Sequence, residues 1–214
     1  MEDLLIGCDP ELFLSRKGKY ISAHDLVMGS KEKPYAVTKG AVQPDGLAAE
    51  FNIMPAATSG QYIKNINTVM QRLKQMLPSD VEMVLKSWVH FDQAYMDKLP
   101  EKVKELGCNP DFNAYEEGVN MAPEQHPTMR TAAGHIHLGW TENRDPMDPQ
   151  HFLSCCILIK NLDVFLGVPS VLMDKEGGER RKMYGKAGCF RPKSYGCEYR
   201  SLSNFWLKDT EHMR

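Results

Sequence analysis

The stretch that decides the fold is Lys186-Ala187-Gly188-Cys189-Phe190-Arg191-Pro192-Lys193-Ser194-Tyr195-Gly196-Cys197-Glu198-Tyr199-Arg200. It predicts a terminal pair of strands. Side chains alternate between the two faces of an extended strand, so Glu198 and Arg200 share one face while Cys197 and Tyr199 share the other. Taken alone, the acid–base pair is equally an exposed ion pair worth roughly 0–1 kcal/mol. Its meaning depends on whether other strands place polar groups on the same face.

Composition bounds the class of protein. The 214 residues, 42% hydrophobic and 25% charged, predict one soluble domain over residues 1–214. A net charge of −2 gives no electrostatic basis for binding nucleic acid. No uninterrupted apolar run approaches the roughly 20 residues that span a bilayer, so we expect no membrane partner. The acidic start, Met1-Glu2-Asp3, does not resemble a signal peptide and predicts a cytoplasmic protein.

The cysteines argue against two kinds of site. The chain has six: Cys8, Cys108, Cys155, Cys156, Cys189 and Cys197. None forms a Cys-x-x-Cys pair, which argues against a zinc ribbon or a redox pair. Cys155 and Cys156 are adjacent in an apolar run with helical spacing and are predicted to be small core residues of a reduced protein.

Hydrophobic spacing predicts the main elements. One helix runs from Tyr62 to Leu77 and ends before Pro78; a second begins at Asp148-Pro149 and ends at Gly167. A shorter helix is predicted over 96–106. Strands are predicted over 4–14, 20–23, 47–53, 81–89 and 131–140, with a strand start, edge or bulge at Pro10. Loops are predicted over 25–45, 108–127 and 174–181.

Four of the predicted strands carry polar groups on one face. They are Asp9 with Glu11, Glu50 with Asn52, His135 with His137, and Glu198 with Arg200. Each pair alone is equally consistent with turn, edge or surface residues. In one sheet, however, their burial would cost several kcal/mol per ion without compensation, on the order of the effective penalty for ions in proteins. The face is therefore predicted to be wet, metal-loaded or both, and its carboxylates and imidazoles suit Mg²⁺ or Mn²⁺.

A cationic cluster precedes Glu198. It consists of Arg180, Arg181, Lys182, Lys186, Arg191 and Lys193. Guanidinium groups hold phosphate oxygens through two parallel hydrogen bonds, so the cluster favours a polyphosphate ligand. A solvated basic loop is the open alternative.

Four ordered motifs carry a resemblance that covers nearly the whole chain. They are Gly7-Cys8-Asp9-Pro10-Glu11, Asp45-Gly46-Leu47-Ala48-Ala49-Glu50-Phe51-Asn52, Gly134-His135-Ile136-His137-Leu138-Gly139, and Arg181-Lys182-Met183-Tyr184-Gly185 through Glu198-Tyr199-Arg200. Together they resemble the phage-type carboxylate–amine ligase type 2 (amidoligase) family, within the glutamine synthetase and glutamate–cysteine ligase superfamily. The resemblance implies an α+β fold with a curved antiparallel β-sheet, an active site on its concave face and helices packed on its convex face.

The resemblance also implies roles for individual residues. The metal ligands would be Asp9, Glu11, Glu50, His135 and Glu198. The residues next to the reacting phosphates would be Arg200, Arg191 and His137, and nucleotide binding would fall to Arg181, Lys186, Arg191 and Arg200. Glu198 and Arg200 would then bind ligand rather than each other. Asp9 stands where better-known relatives carry glutamate, which implies a slightly displaced metal.

The implied activity is ATP-dependent joining of a carboxylate to an amine through an acyl phosphate, with Mg²⁺ or Mn²⁺. The substrates would be small-molecule or peptide carboxylates and amines, selected by loops 25–45 and 108–128, in the host cytoplasm if the chain is phage-encoded. A homo-oligomeric state is left open. One alternative is a non-catalytic nucleotide- or partner-binding phage protein that retains the fold. Another is a metal-dependent hydrolase that uses His135 and His137, which the arginine-rich end disfavours.

Overall fold

The computed structural model describes residues 4–104, 111–116, 118–121 and 126–214. They form two six-stranded sheets, one two-stranded sheet and six α-helices. All of the strand pairs are antiparallel. Parts of the sequence predictions lie outside the described residues: Met1-Glu2-Asp3, Cys108 and, in the loop that contains it, residues 109–110, 117 and 122–125.

The first sheet contains the terminal strand pair. In spatial order its strands are β1 (Leu5–Cys8), β12 (Ile136–Gly139), β14 (Gly196–Tyr199), β13 (Cys189–Lys193), β9 (Phe112–Asn113) and β10 (Gly118–Val119). The predicted terminal pair is confirmed, with Arg191 of β13 opposite Glu198 of β14. On its other side, Glu198 lies opposite His137 of β12. Three chain-distant segments therefore place polar residues side by side.

The second sheet contains the two remaining acidic strands. In spatial order its strands are β3 (Lys19–Ile21), β2 (Glu11–Arg16), β6 (Ala48–Ile53), β5 (Gly40–Asp45) and β4 (Tyr35–Val37), with β7 (Val81–Val84) also paired to β2. The two-stranded sheet consists of β8 (Trp88–His90) and β11 (Met129–Thr131). The structure thus divides the predicted single sheet, and a glutamine synthetase-like curved sheet stays a prediction.

Asp9 and Pro10 carry the chain from the first sheet to the second. The Glu11 backbone N–H donates to Ala133 O at 2.9 Å, and Phe51 N–H donates to Pro10 O at 3.2 Å. Pro10 itself has no N–H to donate, so it fits at the break between the strands. The predicted position of Pro10 at a strand start is confirmed.

The described residues contain six α-helices, of which the two longest, α1 (Ser59–Met76) and α4 (Pro149–Leu162), pack on the two sheets. The others are α2 (Gln93–Met96), α3 (Glu101–Lys104), α5 (Val168–Met173) and α6 (Gly178–Met183). α1 begins directly after the N-cap Thr58, three residues before the predicted start at Tyr62, and it ends before Pro78, as predicted. The buried residues Phe51 and Ile53 of β6 belong to the same hydrophobic core as Ile66 of α1.

α4 packs behind the terminal strands, on the face opposite Glu198. Cys155 of α4 lies 3.6 Å from Gly196 O, and the Tyr199 hydroxyl donates to Asp163 Oδ1 at 2.7 Å. Cys155 and Cys156 are both buried, which confirms their predicted place in the core.

Several predicted boundaries were wrong, among them the three that follow, because contacts distant in sequence override local signals. The stretch 25–45 was predicted to be a loop, but it contains β4 and β5. At Gly40 a Cβ atom would lie 2.0 Å from Asn52 O, so glycine there permits close strand pairing. The predicted strand 131–140 is divided, and His135 precedes β12 rather than lying within it. The predicted loop 174–181 contains the start of α6.

The second predicted helix does not end at Gly167. A π-helical turn, Asp163–Gly167, joins α4 to α5, and Pro169, which has no N–H to donate, follows directly after this irregular turn. The result is a continuous helix, Pro149–Met173, of 25 residues that contains an 18-residue window with a mean hydropathy of 1.7. By length and composition alone this helix is apolar enough to cross a membrane, contrary to the prediction that no segment approaches that length. The prediction counted uninterrupted apolar residues and so excluded this helix, which contains Lys160 and Asp163.

Candidate functional site

Glu198 is the buried centre of a charged cluster on the polar face of the first sheet. Its side chain is 1% exposed, and its Oε2 lies 2.8 Å from Lys193 Nζ. Its Oε1 pairs with the Arg200 guanidinium and lies 3.4 Å from His135 Nδ1. Burial and the Asp9 charge would raise the pKa of Glu198, but these cationic and imidazole neighbours outweigh them and lower it to about 2.

Arg200 and Glu198 therefore pair with each other, whereas the prediction was that each binds ligand instead of the other. Arg200 also lies 3.2 Å from Asp111 Oδ2 through its Nε. Its guanidinium thus bridges two acids from different elements, which fixes its position at the site.

Asp9 and His137 form the second part of the cluster. His137 Nε2 lies 3.0 Å from Asp9 Oδ1, but both atoms are buried and neither makes a hydrogen bond of good geometry. Burial would raise the pKa of Asp9, yet the two histidines lower it well below its usual range. Burial would lower the pKa of His137, but the Asp9 carboxylate raises it.

These atoms fit a divalent metal ion. Among the described residues, Asp9, His137 and Glu198 each offer one ligand atom, and the three atoms lie within 4.8 Å of one another. Two carboxylates and one imidazole are ligands that suit Mn²⁺, and the carboxylates suit Mg²⁺. His137 also contacts the Tyr195 hydroxyl through its Nδ1, which orients the ring.

His135 lies between Asp9 and Glu198. Its Nδ1 is 3.4 Å from both Asp9 Oδ1 and Glu198 Oε1. Burial, together with the Arg200 charge, lowers the pKa of His135 to about 4. The ring is therefore neutral at physiological pH and keeps a lone pair available to a ligand.

Glu11 and Glu50 lie in the second sheet, directly opposite each other on β2 and β6. Glu11 Oε2 accepts a hydrogen bond from Ala133 N–H at 2.9 Å, and Glu50 Oε2 accepts one from Gln43 Nε2 at 2.8 Å. Burial, reinforced by the Asp45 charge, raises the pKa of Glu11 to about 7. Burial and the Asp9 charge raise the pKa of Glu50 well above its usual range. Neither acid belongs to the three-residue metal group among the described residues.

Two clefts meet at the cluster. The arginine cleft is lined by Glu11, Asp45, Asp111, His135, Arg180 and Arg200 among others. The larger histidine cleft is lined by Asp9, Lys31, Glu50, His137, Trp140 and Tyr195 among others. Glu198 lies buried between residues of both clefts, so the two openings reach one charged junction.

The structure does not bring all of the predicted phosphate-binding residues to these clefts. Arg181 donates to Ser170 O at 3.1 Å, and neither Arg181 nor the exposed Lys186 lines either cleft. Arg191 is closer, with its guanidinium 3.7 Å from Glu198 Oε1.

Arg180 lines the arginine cleft in place of Arg181. It is 2% exposed and donates to Ser201 O at 3.0 Å, while its buried Nε has no hydrogen-bond partner. Burial lowers the pKa of Arg180 to about 10, with the nearby Arg200 charge adding to the effect.

Sequence reasoning missed several residues of the junction. Asp111 lies in a stretch without periodicity, so no local signal marks it. Tyr195 could have been identified as a site residue from the sequence, because it lies in the turn between β13 and β14 and is close to Glu198. Lys31 forms an ion pair with Asp45 at 3.0 Å. This pairing depends on the tertiary fold, so the sequence alone does not indicate it.

Comparison with known proteins finds one family model that matches the C-terminal part of the chain. The family model described as phage phiEco32-like COOH-NH2 ligase type 2 matches residues 113–213, which include the terminal strands and both histidines. No curated protein matches the chain. The family match agrees with the resemblance carried by the motifs, and residues 113–213 are similar to the phage phiEco32-like COOH-NH2 ligase type 2 family.

Proposed function

We propose that the chain joins a carboxylate to an amine at the expense of ATP, through an acyl-phosphate intermediate. One observation carries the proposal: a buried carboxylate, Glu198, collects Lys193, Arg200 and His135 around it, next to the Asp9–His137 pair. Acids that suit metal ions and cations that suit phosphate oxygens thus occupy one junction. The family match supports a carboxylate–amine ligase.

This arrangement suits phosphoryl transfer. Such a reaction requires little covalent help from protein, but it requires in-line placement and neutralised charge. We propose that Asp9, His137 and Glu198 hold Mg²⁺ or Mn²⁺, which neutralises charge on the phosphates when bound. We propose that Arg200, assisted by Arg191, binds the transferring phosphoryl group.

The proposed reaction requires no nucleophile from the protein. An oxygen of the substrate carboxylate attacks the γ-phosphorus and ADP leaves. The amine nitrogen then attacks the acyl carbon, phosphate leaves and the amine proton passes to solvent. Cys8 lines the histidine cleft, but burial raises the pKa of its thiol well above its usual range, so it is protonated and poorly nucleophilic.

Two clefts meeting at one junction also suit a reaction with several substrates. The nucleotide and the acceptor pair then have separate approaches to the phosphates. We propose small or peptide carboxylates and amines as substrates, in a cytoplasm that supplies ATP and Mg²⁺.

The test is a trapping assay. The purified chain is incubated with ATP, Mg²⁺ or Mn²⁺ and pools of amino acids or short peptides, with hydroxylamine as a general amine. ADP release and hydroxamate formation are measured together. We expect both to depend on the added acid and to be lost in Glu198→Gln, while Lys64→Ala, at an exposed lysine of α1 outside both clefts, leaves both unchanged.

The outcomes separate the three hypotheses. ATP binding by calorimetry without ADP release under any acceptor would favour the non-catalytic nucleotide-binding protein. Metal-dependent cleavage of a substrate without ATP would favour the hydrolase. No ATP binding together with no ADP release would remove the ligase proposal.

A further inference from the structure

Asp163 is a buried acid to which the proposed reaction gives no role. It begins the π-helical turn Asp163–Gly167 and is 4% exposed. π-helical turns inside helices are rare and are frequently found at functional sites. A buried carboxylate needs hydrogen bonds to remain charged, so its donors show which parts of the chain depend on it.

The two carboxylate oxygens of Asp163 bind different segments of the first sheet. Its Oδ1 accepts from the Tyr199 hydroxyl at 2.7 Å and from the Ser201 hydroxyl at 3.3 Å. Its Oδ2 accepts from the Gly188 N–H at 2.6 Å. Gly188 directly precedes β13, whereas Tyr199 ends β14 and Ser201 follows it. The acid therefore joins both strands of the terminal pair from the face opposite Glu198, through hydrogen bonds that its charge strengthens.

Two of these donors flank Arg200 in the chain. Arg200 lies one residue beyond the end of β14, and its N–H donates to Cys189 O at 3.0 Å. Successive side chains of an extended segment point to opposite faces, so anchoring Tyr199 and Ser201 behind the sheet directs Arg200 to the polar face. There its guanidinium pairs with Glu198. The contacts of Asp163 thus determine where the guanidinium lies.

The last residue of the π-helical turn leaves room for the Tyr199 hydroxyl. A Cβ atom at Gly167 would lie 2.7 Å from the hydroxyl oxygen and 3.0 Å from Asp163 Oδ1. Glycine therefore permits an approach that a larger residue would prevent. Burial, together with the hydrogen bond to Asp163, raises the pKa of Tyr199 well above its usual range, so the hydroxyl stays protonated and donates. The turn supplies both the acceptor and the space for its donor.

We propose that Asp163 is a positioning residue for Arg200. Through Tyr199 and Ser201 it holds the segment that presents the guanidinium to the transferring phosphoryl group. The inference deepens the proposed function, and its effect on turnover rests on that function. The placement of Arg200 itself can be measured without turnover, so the two proposals can fail separately.

Turnover measures the effect of Asp163 on the reaction. Asp163→Asn keeps the size of the side chain but replaces one acceptor oxygen with an amide group that faces a donor. We expect kcat for ADP release to fall at least about tenfold, since a displacement of about 1 Å can cost on the order of 100-fold. The KM for ATP should stay within about twofold, because a contact made in the transition state affects kcat.

A double variant separates positioning from general destabilisation. If Asp163 acts through Arg200, Asp163→Asn should change kcat little once Arg200 is replaced by alanine, because residues that act as a unit are not additive. The same proportional loss of kcat in both backgrounds would overturn the proposal. As a control, Leu73→Ala in the buried face of α1 should lower thermal stability and leave the kcat of the folded protein unchanged.

NMR measures the placement of Arg200 directly. Its Nε–H donates to Asp111 Oδ2 at 3.2 Å, and the nitrogen–proton signal of that group is identified by its loss in Arg200→Lys. In Asp163→Asn this hydrogen should exchange with solvent at least about tenfold faster, because the segment opens locally more often. Leu73→Ala and Asn161→Ala, at an exposed amide of the same continuous helix, should leave the exchange rate unchanged.

Tyr199→Phe provides the same test if Asp163→Asn does not fold. It removes one donor and leaves the hydrogen bonds from Ser201 and Gly188 in place, so we expect a smaller change in the same direction. Unchanged exchange at Arg200 in every folded variant of Asp163 and Tyr199 would overturn the proposal, whether or not the wild-type chain releases ADP. Faster exchange in a chain that releases no ADP would support the positioning of Arg200 and remove only the proposed reaction.

Discussion

Glu11 of β2 lies directly opposite Glu50 of β6, so two carboxylates face each other across neighbouring strands. Like charges in this position destabilise a sheet. Loss of solvent and the Asp45 charge raise the pKa of Glu11 to about 7. Loss of solvent and the Asp9 charge, with a further contribution from Glu11, raise the pKa of Glu50 well above its usual range. The protein therefore maintains an unfavourable charge arrangement next to its candidate metal group.

Replacing Glu11 should stabilise the metal-free protein. Folding raises the pKa of this acid from 4.5 to about 7, so the folded state holds the proton more tightly than the unfolded state. The associated cost is absent below pH 4.5, grows as the pH rises towards 7 and is complete above it. Without metal, Glu11→Gln should raise the free energy of unfolding at pH 8 by about 1–3 kcal/mol and change it little at pH 4.

Urea unfolding at the two pH values measures this effect. The control is Glu82→Gln, an exposed acid on β7, which should leave stability unchanged at both pH values. Equal stabilisation by Glu11→Gln at pH 4 and pH 8 would show that the charge of Glu11 is not its cause.

Asp9→Asn should weaken Mn²⁺ binding. It removes one of the three close ligand atoms, and we expect a loss of affinity of at least about tenfold in calorimetry or electron paramagnetic resonance. It should also lower the pKa of His137, since the Asp9 carboxylate is the group that raises it. NMR titration of the His137 ring measures that second effect.

Asp25→Asn is the matched control, because the Asp25 side chain is 92% exposed. It should leave both Mn²⁺ affinity and the His137 titration unchanged. Wild-type affinity in Asp9→Asn would place the ion elsewhere.

Arg200→Ala should reduce turnover by at least about 100-fold, as the loss of one charge-stabilising group does in other enzymes. Mn²⁺ affinity should change only a few-fold, since Arg200 is not a metal ligand and Lys193 still compensates Glu198. Steady-state ADP release and calorimetry on the same preparation separate the two quantities.

Arg144→Ala controls for loss of an arginine at a side chain that is 49% exposed. Arg200→Lys should recover little activity, because an ammonium group cannot make two parallel bonds to a phosphate. Full turnover in Arg200→Ala would show that another cation binds the phosphoryl group.

Arg180 and Arg181 are adjacent in sequence but should differ in their effect on stability. Arg180→Met leaves the carbonyls of Ser201 and Arg200 without their donor inside the protein, at a cost of about 1–3 kcal/mol each. Arg181 is 24% exposed, so Arg181→Met should cost about 1 kcal/mol or less.

Thermal and urea unfolding of the two variants make the comparison. Since Arg181 lines neither cleft, its variant should also keep the wild-type KM for ATP within about twofold, well below the effect of one lost charged contact. A large rise in that KM would restore the nucleotide-binding role that the sequence predicted for Arg181.

The sequence by itself determined the features that depend on neighbours along the chain. Alternation in an extended strand put Glu198 and Arg200 on one face, away from Cys197 and Tyr199. The caps Thr58 and Asp148 determined where two helices begin, because their side chains accept the first free N–H groups. The motifs also contained the acids, histidines and arginine that the structure brings together at the junction.

Only the tertiary structure decided which of these groups meet. Pairing between distant strands divided the acids between two sheets and set Glu11 against Glu50 rather than beside Glu198. Packing on the first sheet carried the long helix through Gly167 and Pro169, against their local preference to end it. Local signals extend over a few residues, whereas strand register and burial depend on contacts between segments far apart in the chain.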